Sequence, residues 1–195
     1  MNWNVPNILT VLRIALIPVF VGIFYLPKVA FDAFGFPSHW ANTMAASIFA
    51  IAAFTDWLDG YWARKFNQSS NFGAFLDPVA DKLMVAAALI VLVEFERIGA
   101  VIALIIIGRE IAISALREWM AGTGERSSVA VAQMGKIKTA AQMLAILLLL
   151  YYDRIGSFNT KLVGQVLIIF AAFLTLLSMA YYLKAAWPTI KKSIN

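Results

Sequence analysis

Residues 55–82 read TDWLDGYWARKFNQSSNFGAFLDPVADK, and most of the chemistry of the chain is concentrated there. Asp56 and Asp59 are spaced i, i+3, and Asp77 and Asp81 are spaced i, i+4, so on helices each pair projects from one face. Between the pairs, Asn67, Gln68, Ser69, Ser70 and Asn71 form a short polar connection. Two helices joined in that way run antiparallel and carry both acidic pairs to the same end. At the centre of a membrane span a carboxylate costs about 2.5–3.5 kcal/mol, so four cost on the order of 10–14 kcal/mol before any relief from a position at the rim. Arg64, Lys65 and Lys82 are neutralising partners within the segment, but four acids among so few bases are better balanced by divalent cations. Oxygen-only ligation, with no His or Cys nearby, selects a hard ion such as Mg²⁺ or Mn²⁺, and four negative charges match two of them. Such a pair serves phosphoryl transfer, where it stabilises the charge on the attacking and leaving oxygens. Helix capping is the plainer alternative; Asp77 before Pro78 fits it, which accounts for one acid of the four. Gly60 and Ala63 continue the acidic face of the first helix, and Gly73 lies one turn before Asp77. A large ligand can therefore lie against bare backbone there, although close helix packing uses the same small residues.

Outward from this segment the chain is apolar. Of its 195 residues 62% are hydrophobic and 14% are charged, and the mean hydropathy is +0.78. A water-soluble domain carries about 45–50% apolar and about 25% charged residues, so too little polar side chain is present to cover a wetted surface. The absence of cysteine excludes disulfides, thiolate metal sites and a cysteine nucleophile. Six apolar stretches have the length of about 20 residues that a membrane helix needs: 8–26, 40–64, 74–95, 98–119, 134–152 and 162–183. The expected fold is an all-α integral membrane protein, a single domain over residues 1–195. It forms a six-transmembrane-helix bundle with its active site at the cytoplasmic rim. The first stretch lacks a basic leader and a small-residue cleavage pattern, so it reads as a retained helix. Arg64, Lys65, Arg117, Arg126, Lys136, Lys138, Lys184, Lys191 and Lys192 gather on one side, against Lys28, Arg97, Arg154 and Lys161 on the other. By the positive-inside rule both termini are then cytoplasmic. The connection from Pro27 to Trp40, with His39, falls outside and reads as an interfacial aromatic segment. The net charge of +5 suits anionic lipid or phosphorylated ligands; the dispersal of the basic residues argues against nucleic acid.

Asp56, Asp59, Gly60, Ala63, Arg64, Gly73, Asp77 and Asp81 match the pattern D-x2-D-G-x2-A-R-x8-G-x3-D-x3-D at every position. In this the chain resembles the CDP-alcohol phosphotransferases. The resemblance implies a six-spanning, homodimeric membrane enzyme whose donor is a CDP-linked alcohol, usually CDP-diacylglycerol. It implies two divalent cations held mainly by Asp56, Asp59 and Asp77, with Asp81 assisting and acting as general base. Gly60 and Ala63 would line the cytidine, Gly73 would lie beside the nucleotide, and Arg64 near the diphosphate.

The acceptor is to be sought elsewhere. GREIAISALREW, residues 108–119, places Arg109 and Glu110 inside an apolar helix and Arg117 near its cytoplasmic end. A buried Arg in a span is a functional candidate, and its planar fork suits a phosphate; an ion pair with Glu110 or one of the aspartates is the alternative. The following GERSSVAVAQMGKIKTAAQ supplies Lys136 and Lys138, about 200° apart on an ideal helix, so one of them points away from any shared pocket. Arg109, Arg117, Lys136 and Lys138 are the expected acceptor phosphate-binding residues. Asn7, Thr10 and Arg13 share a face of the first helix and are placed beside the nucleotide or substrate, against the plainer readings of an N-cap for Asn7 and a snorkelling side chain for Arg13. The run from Gly108 to Met143, together with PNILTVLR at residues 6–13, is similar to the bacterial branch of the family that uses glycerol 3-phosphate. That likeness implies an inner (cytoplasmic) membrane enzyme forming phosphatidylglycerophosphate and CMP, by attack of an acceptor hydroxyl on the lipid-bearing phosphorus. The rivals are a family enzyme with another acceptor, such as inositol phosphate, and, more remotely, a cation transporter.

Overall fold

The breaks read from Pro, Gly and polar runs separate six helices. The computed structural model describes residues 5–26, 40–66, 71–122 and 131–194. They form α1 (Val5–Tyr25), α2 (Trp40–Phe66), α3 (Asn71–Glu94), α4 (Ala100–Gly122), α5 (Val131–Tyr151) and α6 (Thr160–Ile194), with no β-strand among the described residues. The segment from Pro27 to His39, expected at the interface, lies outside the described residues. Each predicted apolar stretch overlaps one helix. The largest difference is at α6, which runs to Ile194 rather than ending near Leu183. Apolarity marks where a helix could meet hydrocarbon, whereas the helical backbone continues through Lys184 and Trp187 and past Pro188, which lacks only its own donor. Between α5 and α6 the Gly156–Ser157 break is a tight turn: Ile155 and Phe158 exchange backbone hydrogen bonds, and Gly156 takes φ +59°, a conformation that glycine adopts without penalty.

Helix α1 packs on α2 and α3, α2 on α5, α3 on α4 and α5, and α6 on α4 and α5. Phe20, Phe49, Leu89, Leu92, Ile106 and Ile146 fill the interior. Ala45, Ala52, Ala88, Ala145 and Ala172 are buried among them, and small residues at these contacts let backbones approach closely. The closest approach is at Gly164 of α6, where a Cβ would come within 2.8 Å of Leu149 Cγ.

The outside is apolar as well. Leu12, Phe54, Ile90, Leu104, Leu144 and Phe173, one from each helix, are exposed, Leu104 to 71%. Among the described residues one helical stretch, Thr160–Trp187, is long and apolar enough to cross a membrane, while Thr10–Tyr25 and Ile137–Tyr151 are apolar but shorter. In α4 the apolar run is broken by Arg109, Glu110, Arg117 and Glu118.

At the end of the bundle where α1 and α3 finish, Arg97 is a latch. Its guanidinium donates to the carbonyls of Leu149 (2.9 Å) and Leu150 (2.7 Å) in the last turn of α5 and to Asn42 Oδ1 (2.6 Å) on α2. It also lies over the rings of Tyr152 and Phe24. Carbonyls at a helix C-terminus lack intrahelical donors, and a cation there complements the helix dipole. Burial lowers the Arg97 pKa from its ordinary value, and the neighbouring Tyr152 and Asp153 act in the opposite direction.

Candidate active site

The centre of the site is an ion triad drawn from three helices. Arg13 of α1 donates from Nη1 to Asp56 Oδ1 at 3.1 Å and to Asp81 Oδ1 at 2.6 Å. Arg13 is 2% exposed, whereas the Asp56 and Asp81 side chains are 40% and 37% exposed. The guanidinium therefore backs the two carboxylates and leaves their other faces open. Its position follows from the packing of α1 against both α2 and α3. Sequence reading named Arg64, Lys65 and Lys82 as neutralising partners within the segment and preferred divalent cations; the partner seen among the described residues belongs to another helix. Thr10, one turn ahead of Arg13, is fully buried.

The helices extend slightly beyond the expected spans at this end: α2 continues ten residues past Asp56, to Phe66 rather than Arg64, and α3 begins ten residues before Asp81, at Asn71 rather than Ala74. At about 1.5 Å per residue these carboxylates lie about 15 Å in from the helix termini. Helical hydrogen bonding continues through the polar sequence on either side of the connection, so the acids end up between helices.

Asp56 and Asp81 open into a cavity of about 480 Å³, whose walls also include Glu110, Arg117, Thr139 and Gln142. This is within the range of small-molecule sites. Ile106, Ile107 and Ile111 of α4 make part of its wall apolar.

Glu110 organises the polar side of α4. Its Oε1 pairs with Arg109 Nη1 at 3.2 Å and with Lys138 Nζ of α5. Arg109 Nη2 donates to Ser178 Oγ of α6 at 3.1 Å, and the guanidinium lies over the Tyr182 ring. Successive helical residues point about 100° apart, so with Glu110 on the cavity wall, Arg109 is directed toward α6. Of the four cations expected to hold acceptor phosphate, Arg117 lines the cavity. Arg109 and Lys138 are instead engaged by Glu110, and the Lys136 side chain lies outside the described residues. The ion pair weighed as the alternative for Arg109 is the arrangement found.

The side chains of Asn7, Asp59, Ala63, Arg64 and Asp77, and the surroundings of Gly60 and Gly73, also lie outside the described residues, although the backbone at each is helical. Among the described residues no group of three or more His, Cys, Asp or Glu side chains gathers to hold a metal. Asp56 and Asp81 nonetheless fit one: they offer only hard oxygen donors, as Mg²⁺ and Mn²⁺ require. Both oxygens lie within hydrogen-bond reach of one cationic nitrogen.

Sequence reading did not single out Gln142. It lies one turn beyond Lys138 and three residues beyond Thr139, and following that face along the helix would have reached it.

A profile of the CDP-alcohol phosphatidyltransferase family matches residues 3–178, and the chain belongs to that family. It is 50% identical over 191 residues to the CDP-diacylglycerol–glycerol-3-phosphate 3-phosphatidyltransferase of Pseudomonas fluorescens, spanning 96% of this chain and 92% of that protein. Proteins of the same name from Salmonella typhimurium and Escherichia coli K12 are 50% identical over 188 residues, spanning 95% of this chain and 96% of each relative.

Proposed function

We propose that the chain transfers the phosphatidyl group of CDP-diacylglycerol to glycerol 3-phosphate, giving phosphatidylglycerophosphate and CMP. The observation that carries this reading is the half-identity, over nearly the whole of both chains, to proteins named for that transfer. The cavity supports it, because carboxylates, the cations Lys82 and Arg117 and an apolar wall line one space that suits a phosphorylated alcohol meeting a lipid headgroup. Asp81 takes the proton from a primary hydroxyl of glycerol 3-phosphate. The freed oxygen forms a bond to the lipid-bearing phosphorus as the bond from that phosphorus to CMP breaks, and the electron pair leaves on CMP. Arg13 holds Asp56 and Asp81 in a fixed relation behind the reacting groups. Arg117 attracts the acceptor phosphate.

Asp56, Asp59, Asp77 and Asp81 would hold two divalent cations, Mg²⁺ or Mn²⁺. When bound, the cations supply charge stabilisation for the diphosphate and the departing CMP. The exposed apolar residues on all six helices support a bundle that sits in a membrane, because a water-soluble monomer does not expose so much contiguous apolar surface. Six spans, an inner-membrane location with both termini cytoplasmic, and a homodimer complete the reading. The first two rest on apolar length and charge asymmetry, with the location also implied by the family resemblance, and the homodimer on that resemblance alone.

The test is CMP release by purified protein with CDP-diacylglycerol and a panel of alcohols, with and without chelator. Glycerol 3-phosphate is expected to be the preferred acceptor, chelator to abolish release, and Asp81→Asn to abolish turnover while CDP-diacylglycerol still binds. Preference for inositol phosphate would replace the acceptor. Full activity in chelator would remove the cations, and wild-type rates in Asp81→Asn would remove the base.

A further inference from the structure

The outward stripe of α6 changes character along its length. Leu162, Val166, Phe173, Lys184, Trp187 and Lys191 are all exposed, and at about 100° per residue they share one side of the helix. Thr175, Ser178 and Ala186 are buried on the other side, where α6 packs on α4 and α5. That packing fixes the rotation of the helix, so Lys184, Trp187 and Lys191, spaced i, i+3 and i+7, continue the outward stripe beyond its apolar part.

Charge spacing sets the depth of these three residues. Between Lys161 and Lys184, residues 162–183 carry no charge, and at about 1.5 Å per residue they extend about 33 Å. The hydrocarbon core of a bilayer is about 30 Å thick, with a headgroup layer of about 5–7 Å on each side. Lys184 then stands at the edge of the hydrocarbon, and Trp187 lies about 4.5 Å further out, within the headgroup layer. Lys191 lies about 10 Å beyond Lys184, at the water side of that layer. Trp187 is 65% exposed although its neighbour Ala186 is 1% exposed, and headgroup depth is where an amphipathic indole is favoured. Lys184, Trp187 and Lys191 have no hydrogen-bond or ion-pair partner among the described residues, and α6 contains no acid to supply one.

We propose that the Lys184–Trp187–Lys191 stripe binds anionic phospholipid headgroups, each ammonium pairing with lipid phosphate and the Trp187 ring packing between them on the glycerol region. This rests on the reading of the bundle as a membrane protein and not on the transfer reaction. Lysines about 10 Å apart along the helix do not close on one free phosphate ion, whereas a lipid surface offers each its own headgroup. A second copy of the chain fits less well. Two-fold symmetry about the membrane normal would set this stripe against itself, lysine facing lysine. Zwitterionic headgroups offer a phosphate but no net charge, so the stripe distinguishes anionic from zwitterionic lipid.

The experiment places the full chain in phosphatidylcholine vesicles containing increasing fractions of acyl-brominated phosphatidylglycerol or acyl-brominated phosphatidylcholine, whose bromines quench a nearby indole. The chain has six Trp residues, so the Trp187 signal is the difference between wild type and Trp187→Phe. That exchange is conservative and lies on the outward face, away from the packed side of α6. Brominated phosphatidylglycerol is expected to quench Trp187 with an apparent affinity about 5-fold or more above that of brominated phosphatidylcholine, the factor that one lysine near an anionic surface supplies. With both Lys184→Gln and Lys191→Gln in place, and Trp187→Phe again as the subtraction, the preference is expected to disappear while both lipids still quench. Equal quenching of Trp187 by the two lipids in the chain with both lysines would overturn the inference. So would a preference that the double exchange leaves unchanged. Quenching by neither lipid would also overturn it, by taking this end of α6 out of the bilayer and the membrane reading of α6 with it.

Discussion

Replacing Arg13 by Met removes a buried charge that two carboxylates share, and the structure sets the size of the effect. Each bond from Arg13 to a carboxylate is charge-assisted and contributes about 1.5–3 kcal/mol, so the fully buried limit for losing both is about 3–6 kcal/mol. Asp56 and Asp81 are 40% and 37% exposed, so water recovers part of their solvation and screens their repulsion; about 2–4 kcal/mol remains. If Arg13 acts by holding Asp56 and Asp81 in register, that loss is expected in kcat/KM for CMP release, as a fall of about 30- to 1,000-fold. If it acts only on folding, the loss is expected in the thermal unfolding temperature measured in detergent. Among the described residues both bonds to the aspartates leave from Nη1, so a Lys ammonium, with three donors, can replace them if it reaches. Arg13→Lys is expected to recover activity to within about 10-fold of wild type. An Arg13→Met protein with wild-type kcat/KM and unchanged unfolding temperature would show that the triad contributes nothing, and would refute the reasoning.

Three further outcomes follow from the same structure. Arg109→Ala breaks the pair with Glu110 and the bond to Ser178 and is expected to destabilise the fold by about 2–4 kcal/mol, with the acceptor and donor KM values keeping their ratio. Arg117→Ala, on the cavity wall, is expected to raise the acceptor KM selectively, and steady-state kinetics on the two variants would expose a reversal. Arg97→Met leaves the carbonyls of Leu149 and Leu150 and Asn42 Oδ1 without their donor, at about 1–3 kcal/mol for each group that water does not reach. The unfolding temperature should fall while activity at low temperature is retained, because the latch sits past the C-terminal end of α3, about 20 Å along that helix from Asp81. Lost activity in well-folded Arg97→Met would contradict that separation.

The six helices were legible in the chain because their signal is local. Apolar runs of sufficient length, separated by Pro, Gly and polar clusters, mark where backbone hydrogen bonds can continue unbroken. The ends were less legible: α6 passes well beyond Leu183, because a Lys or a Trp changes hydropathy without stopping a helix. The acidic pattern of residues 56–81 was legible too, since its spacing is a property of one helical hairpin. The partners of those acids were not. Arg13 lies 43 residues from Asp56 and 68 from Asp81, and Lys138 lies 28 from Glu110. No periodicity connects positions so far apart.

Sequence by itself determined the helical class, the family and the spacing of the acidic pairs, because each depends on residue type and on spacing within a turn or two. Tertiary packing alone decided that Arg13 stands behind Asp56 and Asp81, and that Glu110 engages Arg109 and Lys138. Those outcomes depend on how helices rotate about their own axes when they pack. That rotation is set by the summed fit of side chains such as Phe20, Phe49, Leu89 and Ile146 across several interfaces at once.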